Sequence, residues 1–125
     1  MTAITPWGAK TVYISSMTVS SILQTAFSGL RASARQATTV AENVVNANTP
    51  GYQAGETRTT SLVTSQGQGQ ARGAGVRTEV HAGEAGVDLG REFANLLIAE
   101  TTYRANAQVI REAEEQNDRL LDIVG

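Results

Sequence analysis

The feature that most constrains this chain is a marked helix stop between Ala41 and Tyr52. Thr49 precedes Pro50, and a proline ring disfavours helical geometry in the residue before it. Pro50 also lacks the N–H group that a continuing helix would use as a donor. Gly51 then permits a turn that residues with a side chain resist. The pattern therefore predicts that a helix arriving from the N-terminal side ends within this stretch.

Apolar residues before the stop recur at steps of four and three, as they do in a coiled coil. They predict a helix from about Val19 to Ala47, with Ser20 or Ser21 as its N-cap. Only three charged residues lie between Thr18 and Asn48, so we expect neighbouring helices to cover its polar face after assembly; an uncharged but solvated surface is the alternative. The apolar residues, the first part of a predicted assembly seam, are Leu23, Phe27, Leu30, Ala34, Ala37, Ala41 and Val44.

A second helical pattern begins at Val87 and continues almost to the C-terminus. Asp88 is the predicted N-cap, because its carboxylate can accept hydrogen bonds from free N–H groups at the positive end of the helix. Glu100 with Arg104, and Glu115 with Arg119, have the spacing of favourable ion pairs within a helix. The second part of the predicted assembly seam comprises Leu89, Phe93, Leu96, Tyr103, Asn106, Ala107, Ile110 and Leu121.

The middle of the chain, residues 53–86, is rich in Gly, Thr, Ser and Gln. It predicts a loop that contains a small hairpin built from Ser61–Thr64 and Val76–Val80. The stretch from Gly67 to Gly73 shares only its glycines with a phosphate-binding loop, because the spacing differs and no helix follows. Residues 1–16 show no helical period, although Val12–Ile14 could form a short strand. They are either a true extension or the product of an upstream start codon or of cloning, and we expect assembly not to need them.

Together these patterns predict a mainly α fold. Two long terminal helices run antiparallel as a coiled-coil-like hairpin, their apolar stripes bury each other, and a small Gly-rich loop or β-hairpin lies between them. A chain of 125 residues suffices for one modest core. We therefore expect a single domain at 17–125, with the first helix at 17–48, the turn and middle at 49–86 and the second helix at 87–125.

Composition argues against several classes of function. The chain has no cysteine and one histidine, His81, which leaves little material for a metal centre. Its net charge of −2 is unlike that of a nucleic-acid-binding protein. No apolar run has the length of a membrane span, and the N-terminus does not resemble a Sec-type signal peptide. Neither paired catalytic groups nor a nucleophile motif is present, so we predict no enzyme activity, cofactor, metal or small-molecule substrate.

The residues at the helix stop resemble the signature of bacterial flagellar rod and hook proteins, roughly Asn-Asn-(Leu/Ile)-Ala-Asn-x-Asn-Thr-Pro-Gly-Tyr. Glu42 and Val45 depart from that signature. The second helix is similar to the C-terminal pattern of the same family in Val87–Leu89, Glu92 and Tyr103–Ile110, with Phe93 in place of the usual Met or Leu. The signature positions that match are Asn43, Asn46, Asn48, Thr49, Pro50, Gly51 and Tyr52.

This resemblance implies a structural subunit of the flagellar rod, the axial tube of the basal body, which assembles through its terminal helices. Its implied partners are copies of itself, other rod and hook subunits and the flagellar type III export machinery. The implied location is the periplasmic rod, reached without a cleaved signal peptide. In this family the terminal helices typically become ordered only on assembly, and a short middle segment is typical of proximal-rod members. The heptads alone would also allow a generic coiled-coil adaptor unrelated to flagella.

Overall fold

The structure, a computed structural model, describes residues 7–66 and 70–124, with side chains for 19–64 and 73–123. The elements follow one another as α1 (Trp7–Val45), β1 (Gly55–Gln66), β2 (Gln70–Ala82) and α2 (Leu89–Val124). Two long helices therefore flank one small antiparallel hairpin, which confirms the predicted mainly α fold class. Within the described ranges, neither helix has the length and apolar character needed to cross a membrane.

The two helices pack against each other in antiparallel orientation. Near the end of α1, Val40 lies across from Glu92 at the start of α2. Near the N-terminal part of the described side chains, Ile22 lies across from Val109. The facing residues form an inner row with heptad spacing, in which most side chains are small or polar. We define the inner row as Val19, Ile22, Ala26, Gly29, Ser33, Gln36, Val40 and Asn43 in α1 and Glu92, Asn95, Ala99, Thr102, Asn106, Val109 and Ala113 in α2.

Gly29 shows how closely the helices approach. A Cβ atom placed on Gly29 would lie 2.6 Å from Oδ1 of Asn106, so only glycine fits here without movement of the amide. Ala26, Ser33, Ala99 and Ala113 are also buried along this line. Side-chain size at the contact sets the distance between helix axes, and these small residues make that distance short.

The prediction that the two apolar stripes bury each other within one chain is wrong. Between Ile22 and Val44 and between Glu92 and Ile110, each stripe position follows an inner-row position by one residue, as Phe27 follows Ala26 and Phe93 follows Glu92. One residue corresponds to a rotation of about 100° around a helix. Phe27 is consequently 51% exposed and Phe93 57% exposed. The physical reason is that small side chains permit the close packing seen here, whereas facing phenylalanines and leucines would hold the helices apart.

The ends of the helices differ from the prediction at one place. α1 begins at Trp7 rather than near Val19, so neither Ser20 nor Ser21 is an N-cap, and residues 12–14 are helical rather than a strand. An absent hydrophobic period indicates that a segment has no single buried face, which does not prevent a helix from forming there. At the other helix, the Asp88 cap is confirmed, because its Oδ1 accepts hydrogen bonds from the N–H groups of Gly90 at 2.9 Å and Arg91 at 3.2 Å.

The middle of the chain forms the predicted hairpin, with longer strands than the alternating pieces indicated. β1 and β2 pair in antiparallel register from Gly55 opposite Ala82 to Gln66 opposite Gln70. A bulge interrupts the register between Leu62 and Val63, where Ala74 is the extra residue. Threonines at 57, 59 and 60 extend β1, since β-branched side chains favour strands. Residues 67–69, the start of the glycine stretch, lie outside the described residues.

Candidate assembly surface

Asn43 connects the end of α1 to the first residue of β1. Its Nδ2 donates to the carbonyl oxygen of Gly55 at 2.9 Å, and its Oδ1 accepts from the N–H of Gly55 at 2.7 Å. The same Oδ1 accepts from the hydroxyl of Tyr52 at 3.1 Å. Asn43 is 1% exposed, so these bonds satisfy an amide that would otherwise be costly to bury. This amide therefore holds the first residue of β1 beside the last turns of α1.

The other signature residues build the turn between these two points. Asn46 Nδ2 donates to the carbonyl oxygen of Glu42 at 2.9 Å, and Thr49 Oγ1 donates to Asn46 Oδ1 at 3.3 Å. Gly51 has a φ of 77°, the left-handed geometry that favours glycine. Asn48 and Pro50 are exposed. The structure therefore gives the predicted helix stop a local structural role in which Asn43 and Tyr52 close the turn.

The β-hairpin lies on one side of the helix pair. Ser28 Oγ accepts a hydrogen bond from the N–H of Val76 at 3.0 Å, and the methyl group of Thr39 lies beside Gly55. From the other helix, Arg91 reaches Glu56 at 3.9 Å. Ser28, Thr39 and Arg91 each precede an inner-row residue by one position. The hairpin side is therefore the side reached by stepping one residue back from the inner row.

The bulky stripes of both helices follow the inner row by one residue, and in α1 the stripe also borders β2, where Phe27 and Val76 line one groove. A forward step of one residue turns each stripe by about 100° from the inner row. Because the helices are antiparallel and their inner rows face each other, these two rotations bring the stripes to the same side. The larger exposed members are Phe27, Val44, Leu89, Phe93, Leu96, Tyr103 and Leu121. We call this two-helix surface the bulky face.

The residues of the predicted assembly seam therefore fall into three groups that differ in location and exposure. Asn106 belongs to the inner row and lies against Gly29. Half-buried positions at the edge of the helix contact are Leu23, Leu30, Ala37, Ala107 and Ile110. The remaining positions are exposed: Phe27, Ala34, Ala41, Val44, Leu89, Phe93, Leu96, Tyr103 and Leu121.

Comparison with known proteins identifies relatives of part of this chain. Residues 23–53 match the family model described as Flagella basal body rod protein. The Flagellar hook protein FlgE of Rhizobium meliloti is 39% identical over 64 residues, which cover 51% of this chain and 16% of that protein. The FlgE protein of Brucella abortus is 39% identical over 67 residues, covering 54% of this chain and 17% of that protein. The first helix and the turn of this chain are thus similar to the flagellar basal-body rod family, and about half of the chain is similar to flagellar hook proteins.

The chain spans about a sixth of the length of the FlgE relatives it matches, at 16% and 17%. The segment matched by the family model, residues 23–53, contains most of the described part of α1 and the whole turn that Asn43 and Tyr52 close. The similarity therefore falls on the part of the chain where a buried hydrogen-bonded amide determines the backbone path.

Sequence reasoning missed two groups of residues in this chain. The first is the inner row, whose signal was the recurrence of Val19, Ala26, Ser33 and Val40 at intervals of seven. The second is the hairpin contact at Gly75, whose φ of 121° and closeness to Ser28 Oγ exclude a larger residue. No pattern in the sequence indicated that Ser28 would meet the hairpin, because that contact joins distant parts of the chain.

The titratable side chains of the described residues are mostly scattered rather than clustered. No group of three or more His, Cys, Asp or Glu residues converges on one point among them. His81 is exposed and lies 3.6 Å from Glu79 on the same strand. The predicted pair of Glu100 and Arg104 is confirmed at 2.6 Å, whereas Glu115 and Arg119 do not form an ion pair in the described part of the chain.

Proposed function

We propose that this chain is a structural subunit of the flagellar rod, which assembles with copies of itself and with other rod and hook subunits. The observation that supports this most strongly is the bulky face. The chain pairs its own helices through mostly small or polar residues and leaves several larger apolar side chains from both helices on one surface. Soluble monomers rarely expose a continuous apolar surface of this kind, which marks a site of interaction with a partner.

A tube is the assembly that this arrangement suits. The bulky face and the hairpin side are different surfaces, so a contact between one copy's face and another part of its neighbour need not be reciprocal. Heterologous contacts of that type repeat along a filament rather than closing into a dimer. The similarity to the rod family model and to the FlgE hook proteins supports the flagellar axis as the tube that this chain helps to build.

The short middle of the chain, which is typical of proximal-rod members of the family that the sequence resembles, supports a place in the rod rather than in the hook. Between the two helices this protein has one hairpin, β1 and β2, within residues 46–88. A position in the periplasmic rod would require export by the flagellar type III machinery without a cleaved signal peptide. The location of the protein in isolated basal bodies tests the rod position and the export route together.

Electron microscopy of basal bodies from the source bacterium tests the proposal directly. A strain lacking the gene should produce basal bodies without a complete rod, and the intact gene supplied in trans should restore rods and swimming. A tagged copy should be found along the rod axis. Normal rods and normal swimming in the deletion strain would show that the chain is not a rod subunit.

Circular dichroism distinguishes a rod subunit from a self-contained coiled-coil adaptor. A rod subunit should gain helical signal as its concentration rises and as it polymerises, because only contacts with partners offset the entropic cost of ordering its helices. An adaptor should show constant helicity and a closed oligomer over the same range. Analytical ultracentrifugation of the same samples would identify which species accompanies the change in signal.

A further inference from the structure

A groove runs between α1 and β2 on the part of α1 that faces away from α2. Its volume is about 860 Å³, and it is open to solvent along its length. Phe27 and Val76 contribute apolar surface to its walls, whereas Arg31 and Arg35 contribute cationic groups. Neither arginine forms an ion pair within the described residues, although both are exposed. The groove therefore presents an apolar surface beside two uncompensated positive charges.

The C-terminal part of α2 has the complementary character. Between Glu112 and Asp122 it carries five acidic residues and one basic residue. Three exposed residues lie on one stripe of this helix because they are spaced by four and three: Glu114, Asp118 and Leu121. Leu121 is 65% exposed, and the two carboxylates form no ion pair in the described structure. From the N- to the C-terminal end this acidic stripe reads charge, charge and apolar group, which is the reverse of Phe27, Arg31 and Arg35 along the groove.

We infer that the groove of one copy receives the acidic stripe of a second copy, with the two helices antiparallel. Arg35 meets Glu114, Arg31 meets Asp118, and Phe27 meets Leu121. Both charged pairs of positions are four residues apart, which is about 6 Å along a helix, so one register aligns both ion pairs. The spacing places the two apolar side chains together one turn farther on. This contact deepens the proposed function and rests on it, because it names the surfaces through which copies meet.

The contact cannot form within a single chain. The chain's own α2 lies across the inner row, on the other side of α1 from the groove, and Val109 already lies beside Ile22. Residues 114–121 therefore continue past the described N-terminal end of the inner row, away from Arg31 and Arg35. Since the groove and the acidic stripe are different surfaces, a pair of joined copies retains one free groove and one free acidic stripe, to which further copies can add.

Disulfide trapping tests the register, because the native sequence contains no cysteine. One full-length chain carries Phe27→Cys, a second carries Leu121→Cys, and the two are mixed with oxidised glutathione as the oxidant. We expect a cross-linked heterodimer in at least about tenfold higher yield than from Phe27→Cys mixed with Ala105→Cys, since a disulfide needs Cβ atoms about 3.8 Å apart. Equal yields from the two mixtures would overturn the inference.

Charge reversal tests the ion pairs independently. In the Phe27→Cys chain, Arg31→Glu with Arg35→Glu should lower the heterodimer yield about tenfold, and Glu114→Arg with Asp118→Arg in the Leu121→Cys chain should do the same. Mixing both reversed chains should restore the yield. Arg58→Glu with Arg77→Glu, which makes the same change of charge on the hairpin's outer face, should leave it unchanged. Failure of the mutual rescue would contradict the proposed pairing.

The inference and the proposed function fail in different ways. If the trapped heterodimer stays at the control yield while the gene still restores rods, the groove contact is wrong and the rod assignment stands. If the heterodimer forms and the charge swap rescues it, but deletion of the gene leaves rods intact, the contact stands and the rod assignment is wrong. Cross-linking and gene deletion therefore distinguish a failure of the contact from a failure of the rod assignment.

Discussion

At the scale of single residues, Asn43 has the greatest effect on where the chain goes. A buried asparagine can donate and accept at once, so it pairs with both the N–H and the C=O of Gly55 as a neighbouring strand would. Tyr52 adds a third bond from the far end of the turn. Gly55 has no side chain, and a Cβ atom there would lie 3.1 Å from the Thr39 methyl group. Asn43 and Gly55 are therefore adapted to each other.

We expect Asn43→Ala to lower the free energy of unfolding by about 3 kcal/mol, because it leaves buried backbone groups of Gly55 without partners. Tyr52→Phe removes only the hydroxyl bond and should cost about 1 kcal/mol. Urea unfolding followed by circular dichroism, at a concentration where the wild-type chain is folded, measures both. Equal losses from the two variants would show that the Gly55 contacts are not the source of the stability.

At the scale of elements, the close contact of α1 and α2 depends on Gly29. Glycine inside a helix costs about 1 kcal/mol relative to alanine, so its presence in α1 is unfavourable for the isolated helix. The amide of Asn106 occupies the space that a Cβ atom would need, while its Nδ2 donates to the carbonyl oxygen of Thr102 at 2.9 Å. Packing between the elements thus opposes local helix propensity at this position.

A double-mutant cycle measures that opposition. In a chain carrying Asn106→Ala, Gly29→Ala should stabilise the fold by up to about 1 kcal/mol, because only the gain in helix propensity remains. In the wild-type chain the same substitution should be at least about 1 kcal/mol less favourable, since the Asn106 amide must move and lose its hydrogen bond. Additive effects of the two substitutions would contradict close packing at this point.

The contact between α1 and the hairpin makes a separate prediction. Ser28→Ala removes the acceptor for the N–H of Val76 and should cost about 1–2 kcal/mol in hairpin stability. Thr38→Ala is a matched control, since its hydroxyl donates only to the carbonyl oxygen of Ala34, within the same helix. Hydrogen exchange at the Val76 amide should accelerate in the first variant and not in the second. Unchanged exchange in Ser28→Ala would show that the hairpin is held elsewhere.

Elements were easier to predict from the sequence than the faces they use. Pro50, Gly51 and Asp88 act on the backbone through local chemistry, so the end of α1 and the start of α2 follow from neighbouring residues. The choice of inner row is not local, because two rows one residue apart have the same heptad period. The size of the side chains favoured the row containing Phe27 in the sequence, whereas the close approach of the two helices favours the row containing Gly29. Only the second helix, through Asn106, decides between them.

At the scale of the whole molecule, the one-residue offset between the inner row and its neighbouring positions gives the helix pair three distinct surfaces. The inner row joins the two helices, the positions before it carry the hairpin, and the positions after it form the bulky face. The same offset occurs in both helices, so neither apolar stripe is fully buried within the chain. A chain built in this way completes its own helix contact and still has apolar surface available for neighbouring subunits, which is what a repeating axial assembly needs.

This division predicts that charge on the bulky face blocks assembly. Leu30 and Ile110 are half-buried stripe positions, one on each helix. Leu30→Asp or Ile110→Asp would place an unpaired carboxylate where a neighbouring subunit excludes water, which is strongly unfavourable. We expect either variant to lose polymerisation in sedimentation assays and to fail to restore swimming in a deletion strain.

Ala105→Asp provides the control, because Ala105 is exposed on α2 and precedes inner-row Asn106, so its carboxylate would point away from the bulky face. This variant should polymerise and restore swimming as the wild type does. The helical signal of both stripe variants should also be compared with that of the wild type in the dilute state. A loss of helix there as large as the loss under assembly conditions would indicate misfolding rather than blocked assembly. Leu30→Ala and Ile110→Ala, which reduce apolar contact without adding charge, should weaken assembly only partially. Intact rods in strains carrying Leu30→Asp and Ile110→Asp would rule out the bulky face as the surface that neighbouring subunits cover.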